Sequence, residues 1–340
     1  MKELAIGTTI RDTYTVVRFL GQGAFGNVYL TRHRYMGLQA MKLFPVRGIE
    51  DALEEAFVLS RLGDPHIVRV FEANTFHLKG EEVGYFSMEY AEDGTLADWL
   101  SSTPSMNDRL AVLPQLASGL ACAHSQSPPI VHRDIKPSNV LIKKSSTGSI
   151  EVKLSDFGLA KALDIETKLA SAAGTYFYMA PEVFDGKESS ASDIYSLGLT
   201  FYEVLTGRHP FQIKVPAEPS ARTVAALVRA TRTHQVEPPS AIDDEIPSDM
   251  NGVVVDILQF ETAKRIQNAV DLRNRLSSFE NRAPTSRSTD QLLADAFEKS
   301  RQQSTLDEAV QLLQSAMNSE MSVSREYGPL LDLLKRGIIQ

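Results

Sequence analysis

His132-Arg133-Asp134-Ile135-Lys136-Pro137-Ser138-Asn139 is the stretch that decides how the rest of the chain is read. Seven of its eight residues are polar or conformationally restricted. It is entered from Pro128-Pro129-Ile130-Val131 and left through Val140-Leu141-Ile142, so it is a loop between two apolar stretches. A loop that only connects rarely needs an acid, a cation and an amide at this spacing. An Asp can accept a hydroxyl proton, a Lys can neutralise a transferring phosphoryl group, and an Asn can offer oxygen to a hard cation. Further on, Asp156-Phe157-Gly158 follows the strand-like Val152-Lys153-Leu154 and adds a carboxylate suited to Mg2+.

Upstream lies Gly21-Gln22-Gly23-Ala24-Phe25-Gly26-Asn27-Val28. This glycine pattern is weak alone, because plain turns and dinucleotide sites also use it. A dinucleotide fingerprint needs a helix after the glycines and an acid about twenty residues on. Here the strand-like Val28-Tyr29-Leu30 follows, and position 42 is a lysine. A glycine hairpin between strands can fold over a triphosphate and present backbone N–H groups, although in isolation a simple hairpin turn is the better reading. Lys42, in Ala40-Met41-Lys42, is either a solvated strand residue or a point charge for phosphate oxygens. A carboxylate to orient it is expected on the next helix, where Glu54 and Glu55 are both available.

Taken together and in order, these motifs resemble the signature of eukaryotic-type (Hanks-type) serine/threonine protein kinases, including their bacterial branch. The resemblance covers about residues 10–280. It implies an α+β, bilobal protein-kinase fold: a five-stranded antiparallel sheet plus one helix in a small lobe over 10–90, and a mainly helical large lobe over 91–280. ATP and Mg2+ are the implied cofactors, and serine/threonine hydroxyls of proteins the implied acceptors. Asp134 would be the base, with Lys136 at the γ-phosphate and Asn139 and Asp156 on the metal. Lys42 would hold the α- and β-phosphates and pair with Glu55, the choice the alignment favours. Gly21, Gln22, Gly23, Ala24, Phe25 and Gly26 would cover the phosphates. Val28, Ala40 and Leu141 would enclose adenine, Met88 would close the pocket behind it, and the backbone of Glu89 and Ala91 would meet its edge. Gly174-Thr175 and Ala180-Pro181-Glu182 would frame the substrate-docking segment, with Arg265 partnering Glu182 and Asp193 bracing the catalytic loop. Departures are small: Tyr195 stands where many such kinases carry Trp, and Met41 is a volume-conserving change.

Arg133, just before Asp134, is the residue on which an activation-loop phosphate would dock, and Thr167 and Ser171 are the acceptors in 159–173. Lys136 two residues after the base, together with Thr175, points to serine/threonine rather than tyrosine acceptors. The Ala-Pro-Glu segment disfavours the related small-molecule kinases. A nucleotide-binding scaffold is the remaining alternative, and intact Lys42, Asp134 and Asp156 argue against that as a sole function.

The remaining features set bounds on these readings. The 340 residues are 43% hydrophobic and 23% charged, enough for a substantial core near the size at which chains divide. With 35 basic and 43 acidic residues the net charge is −8, which disfavours a general nucleic-acid or membrane binder. Cys122 is the only cysteine, so a reducing compartment is expected. No apolar run approaches the ~20 residues of a membrane span, and Met1-Lys2-Glu3-Leu4 lacks a leader's apolar stretch. A cytoplasmic setting is therefore expected. Residues 281–289 are polar, contain a proline and read as a linker. In 290–340, Leu306, Ala309, Val310, Leu313, Ala316 and Met317 recur at helical steps, predicting a helical appendage packed on the kinase part or on a partner protein.

Overall fold

The computed structural model describes residues 4–23, 26–44, 59–145, 149–157, 175–211 and 220–280. In the C-terminal part it describes 293, 296–297, 299–300, 306–319 and 321–335. The chain packs as two compact units, Met1–Ser277 and Ser278–Gln340.

The first unit begins with strands β1 (Thr9–Ile10), β2 (Tyr14–Gly23), β3 (Gly26–His33), β4 (Gly37–Phe44), β5 (Val70–Leu78) and β6 (Glu81–Met88). They form one antiparallel sheet in the order β1-β2-β3-β4-β6-β5. The sequence predicts five strands; the sixth is β1, a two-residue edge pairing Thr9 with Thr15 and too short to leave a period-2 pattern. Alternation divides the sheet's side chains between two faces. Tyr14, Val16, Tyr29, Met41, Leu43 and Tyr85 form a core with Leu4 and Ile10. On the other face, Val28, Lys42 and Phe86 stand side by side across three strands, and Leu30, Ala40 and Met88 form the next row. The helix predicted over 50–62 lies outside the described residues except at its end, where Leu59 and Leu62 are buried.

Helices α1 (Leu96–Leu100) and α2 (Met106–His124) follow. Thr95 caps α1 with a reciprocal box: its hydroxyl accepts from the Asp98 N–H at 3.2 Å, and its N–H donates to the Asp98 carboxylate at 3.0 Å. Ser105 caps α2. Strands β7 (Val140–Lys144) and β8 (Ile150–Leu154) make a separate hairpin, and α3 (Ser190–Thr206), almost wholly buried, runs through the middle of the large lobe. Helices α4 (Ala221–Arg232), the short α5 (Pro239–Ile242), α6 (Met250–Ile257) and α7 (Ala269–Glu280) complete the unit.

The stretch 249–280 has helical spacing and is helical in two pieces, α6 and α7, with a break between them. Within the break the Arg265 guanidinium takes the carbonyls of Gln259 and Phe260 at 3.0–3.4 Å, oxygens that an uninterrupted helix would engage itself.

Residues 64–68 belong to the small lobe by position but are bonded to the large lobe. Val68 N–H donates to the Leu154 carbonyl at 2.9 Å, Leu154 N–H donates to the His66 carbonyl at 2.8 Å, and Lys153 donates to the Pro65 carbonyl at 2.6 Å. Gly119 of α2 makes room for them, since a Cβ there would sit 2.6 Å from the His66 carbonyl oxygen.

In the second unit, α8 (Leu306–Ser319) and α9 (Met321–Lys335) pack on each other around Leu306, Ala309, Leu313, Leu331 and Leu334, with Ala296 added. Among the described residues no helix is long and apolar enough to cross a membrane.

Candidate active site

The loop 132–139 is held from beneath. Asp193, on the first turn of α3 and 1% exposed, accepts from the His132 N–H at 2.7 Å and the Arg133 N–H at 2.9 Å. The His124 ring lies 3.0 Å from the same carboxylate. These bonds hold Arg133 at φ +69°, a left-handed conformation unusual for a residue with a Cβ and typical of over-determined functional loops. His132 lies under the Phe157 ring with centroids 4.3 Å apart. Burial holds its imidazole below the usual range in spite of the carboxylates of Asp193, Asp134 and Asp156 nearby, so it is a neutral core group.

Above this floor the Asp134 carboxylate accepts from Lys136 Nζ at 2.8 and 3.0 Å. The Asn139 amide nitrogen donates to both the Asp134 carbonyl and its carboxylate, each at 2.8 Å. Its nitrogen edge is thereby committed to Asp134, and its oxygen edge is the end a cation would meet. The predicted trio is thus brought together within one loop.

Lys42 comes from the opposite lobe. It is buried on β4 beneath Phe44 and Phe86, and its ammonium pairs with Asp156. Asp156 is half-buried at φ +60°, again left-handed. Burial alone would raise its carboxyl; the Lys42 charge and hydrogen bond outweigh that and hold it below the usual carboxylate range. Glu55, the predicted carboxylate partner of Lys42, lies outside the described residues.

The glycine hairpin closes tightly, with Gly23 opposite Gly26. A Cβ at Gly26 would fall 1.8 Å from the Leu43 carbonyl oxygen, so no other residue fits without moving β4. Gly21 and Gln22 lie on the same hairpin, while Ala24 and Phe25 lie outside the described residues. Val28, Ala40 and Met88 sit on the sheet face that carries Lys42. Leu141 is half-buried on β7. The Glu89 N–H is used by the Arg69 carbonyl at 2.8 Å, and Glu89 with Ala91 forms the connection out of β6.

The Ala180-Pro181-Glu182 segment is fixed by a buried pair, Glu182 to Arg265 at 2.7 Å. Thr167, Ser171 and Gly174 lie outside the described residues; Thr175 opens a 3-10 turn, Thr175–Phe177. Arg133, read as the seat for an activation-loop phosphate, already meets a carboxylate: its Nε donates to Glu188 at 3.1 Å. The motifs do not include Glu188, His209 or Arg232. Helical spacing could have flagged Arg232, because it follows Val224 and Val228 at steps of four on the buried side of α4.

A sheet lobe bearing a buried lysine, set over a helical lobe whose loop carries an Asp-Lys-Asn cluster, is the architecture of a bilobal protein-kinase fold. The family described as protein kinase domain matches residues 14–275. Serine/threonine-protein kinase A of Synechocystis is 36% identical over 220 residues, 59% of this chain and 42% of that protein. PknB of Mycobacterium tuberculosis is 30% identical over 289 residues, 81% and 44% of the two chains. PknJ of the same species is 31% identical over 283 residues, 78% and 45%. The chain therefore belongs to the protein kinase family, in its bacterial Hanks-type serine/threonine branch. It spans less than half the length of these curated relatives. The family works with ATP and a divalent cation. The site accords with that: one amide oxygen and one carboxylate are a sparse protein contribution to a divalent cation whose shell phosphates would complete. Among the described residues no cluster of three His, Cys, Asp or Glu forms a metal cage of its own.

Proposed function

We propose that the chain is an ATP- and Mg2+-dependent kinase that phosphorylates serine and threonine hydroxyls of proteins. The observation that carries this reading is Asp134, held between Lys136 and Asn139 on a loop braced by Asp193. In this reading Asp134 orients the acceptor hydroxyl and takes its proton as the oxygen attacks the γ-phosphorus, while the bond to the β-γ bridging oxygen breaks and ADP leaves. Lys136 offsets charge on the transferring group, and Lys42 positions the α- and β-phosphates. Asn139 and Asp156 hold Mg2+, which when bound neutralises phosphate charge. Val28, Ala40, Met88 and Leu141 form the adenine slot, with the backbone of Glu89 and Ala91 at its edge. Glu55 orients Lys42. The buried Glu182–Arg265 pair, which steadies a docking segment, supports a protein rather than a small-molecule acceptor.

Thr167 and Ser171 are proposed autophosphorylation sites. A phosphate there would compete with Glu188 for Arg133. If active protein carries no phosphate at either position and the Thr167→Ala/Ser171→Ala variant keeps full activity, this regulation is discarded. The unit 278–340 is proposed as a partner-binding appendage, and the single Cys122 accords with a cytoplasmic signalling role.

The deciding experiment is transfer from γ-labelled ATP with Mg2+ to casein and to the protein itself, comparing wild type with Asp134→Asn and Lys42→Ala. Acid-stable phosphoserine or phosphothreonine in the wild type alone is expected, abolished by EDTA. ATP binding without transfer would replace this reading by a nucleotide-binding scaffold.

A further inference from the structure

Arg232 closes α4 and is 1% exposed, the largest side chain so deeply buried among the described residues. It continues the line of Val224 and Val228, where an apolar residue would pack without a charge to desolvate. Its guanidinium lies over the Tyr195 ring at 5.2 Å, while that of Arg265 lies over the same ring at 4.6 Å. The two arginines are not equivalent. Arg265 is held by both oxygens of Glu182, at 2.7 and 3.3 Å. Among the described residues no carboxylate hydrogen-bonds to Arg232, and the Glu182 charge acts on it only through space. The Arg232 Nη2 donates to the carbonyl of Phe177 and, at 3.4 Å, to that of Tyr176, while Nε and Nη1 meet no hydrogen-bond partner among the described residues.

The Phe177 carbonyl is gripped a second time. His209 Nε2 lies 3.0 Å from that oxygen, while its Nδ1 lies 2.8 Å from the Phe211 carbonyl oxygen and 3.1 Å from the Phe211 N–H, so the ring stands between two backbone acceptors. Burial keeps this ring below the usual histidine range, and a neutral ring donates to one of these two carbonyls. One backbone oxygen in a short 3-10 turn is thus met by two side chains, one from α4 and one from the turn after α3. A half-satisfied buried guanidinium is a poor way to stabilise a core. The bonds it does make all go to the turn that leads into Ala180-Pro181-Glu182.

We infer that Arg232 is a positioning residue for the protein substrate: with His209 it fixes the Phe177 carbonyl and so sets the backbone of the 175–177 turn against which the acceptor segment lies. This rests on the protein-kinase reading above. It makes α4 a lever on substrate docking and leaves nucleotide binding untouched.

The test uses the full chain with Arg232→Met, which keeps the volume and removes the donors, and Arg232→Lys, which restores a cation. Two quantities are read: KM for casein against KM for ATP, and hydrogen–deuterium exchange of peptides covering 175–180, which needs no catalysis. Arg232→Met is expected to speed that exchange and to raise KM for casein roughly tenfold, the size of one lost hydrogen bond, with KM for ATP within about twofold. Arg232→Lys is expected to recover part of both. Unchanged exchange and unchanged casein KM would overturn the inference, as would a parallel rise in both KM values with a lowered melting temperature. If Arg232→Met does not fold, His209→Asn tests the same carbonyl, and unchanged exchange at 175–180 overturns the clamp. A wild type that transfers no phosphate defeats the kinase reading itself, and substrate positioning falls with it whatever the exchange shows.

Discussion

The floor and the rim of the catalytic loop each rest on an aspartate, and the two are built differently. Asp193 on the floor is sealed and fully engaged by the backbone of His132 and Arg133 and by the His124 ring. Asp134 and Asp156 on the rim are half-buried and face cations. The carboxylate that shapes the loop and those proposed to do chemistry on it are thus separated by burial, since all three are aspartates. A sealed acid can hold φ at +69° in its neighbour; an open one can take a proton or a cation.

The rim should break first in activity. Asp134→Asn is expected to lower phosphate transfer by about 10²–10⁴-fold with an unchanged melting temperature, measured by labelled transfer alongside thermal unfolding. An equally large fall in stability would mean that Asp134 is part of the floor. Asp193→Ala should do the reverse. It strands two backbone donors in a dry environment and is expected to cost about 3–5 kcal/mol in denaturant unfolding, with activity falling only as the loop is lost. Gly26→Ala sharpens the contrast from the small lobe: relieving the contact with Leu43 should cost about 1–3 kcal/mol and weaken ATP binding while the casein KM stays put.

The smallest effect concerns Glu72, a floor-type carboxylate in the sheet. It accepts from Tyr14 at 2.7 Å, Tyr85 at 3.0 Å and Asn74 at 3.1 Å. Burial would raise its carboxyl, but these three donors hold it below the ordinary range; burial and the same contact push the Tyr14 hydroxyl up to about 12. A depressed carboxyl contributes stability above its unfolded pKa of roughly 4.3 and loses it as pH falls through the lower folded value. Glu72→Gln should therefore be less stable than wild type at neutral pH, with the gap narrowing on acidification. A gap independent of pH would assign the loss to packing alone.

Much of this was legible in the residues, for reasons that differ by place. The loop 132–139 announces itself because so many functional groups between apolar runs have few bland explanations. The face of α8 shows because Leu306, Ala309 and Leu313 recur at helical steps, and they are buried. Strand β1 is too short to carry a pattern. The break between α6 and α7 has neither proline nor glycine to mark it; within it the Arg265 side chain takes the Gln259 carbonyl. Arg232 escaped because periodicity predicts an apolar residue there, and a charge at such a position reads as the helix's solvated end. Glu188 carries no local signal at all; only the fold brings it to Arg133.

The bonding of residues 64–68 to β8 and α2 has a mechanical consequence. With the Val68 N–H and the His66 carbonyl both on Leu154, and Gly119 admitting that carbonyl at close quarters, this piece of the small lobe rides on the large one. Among the described residues, the sheet therefore meets the large lobe's framework through 68–70 as well as through 88–91, and a strain placed on β8 is felt at the foot of β5.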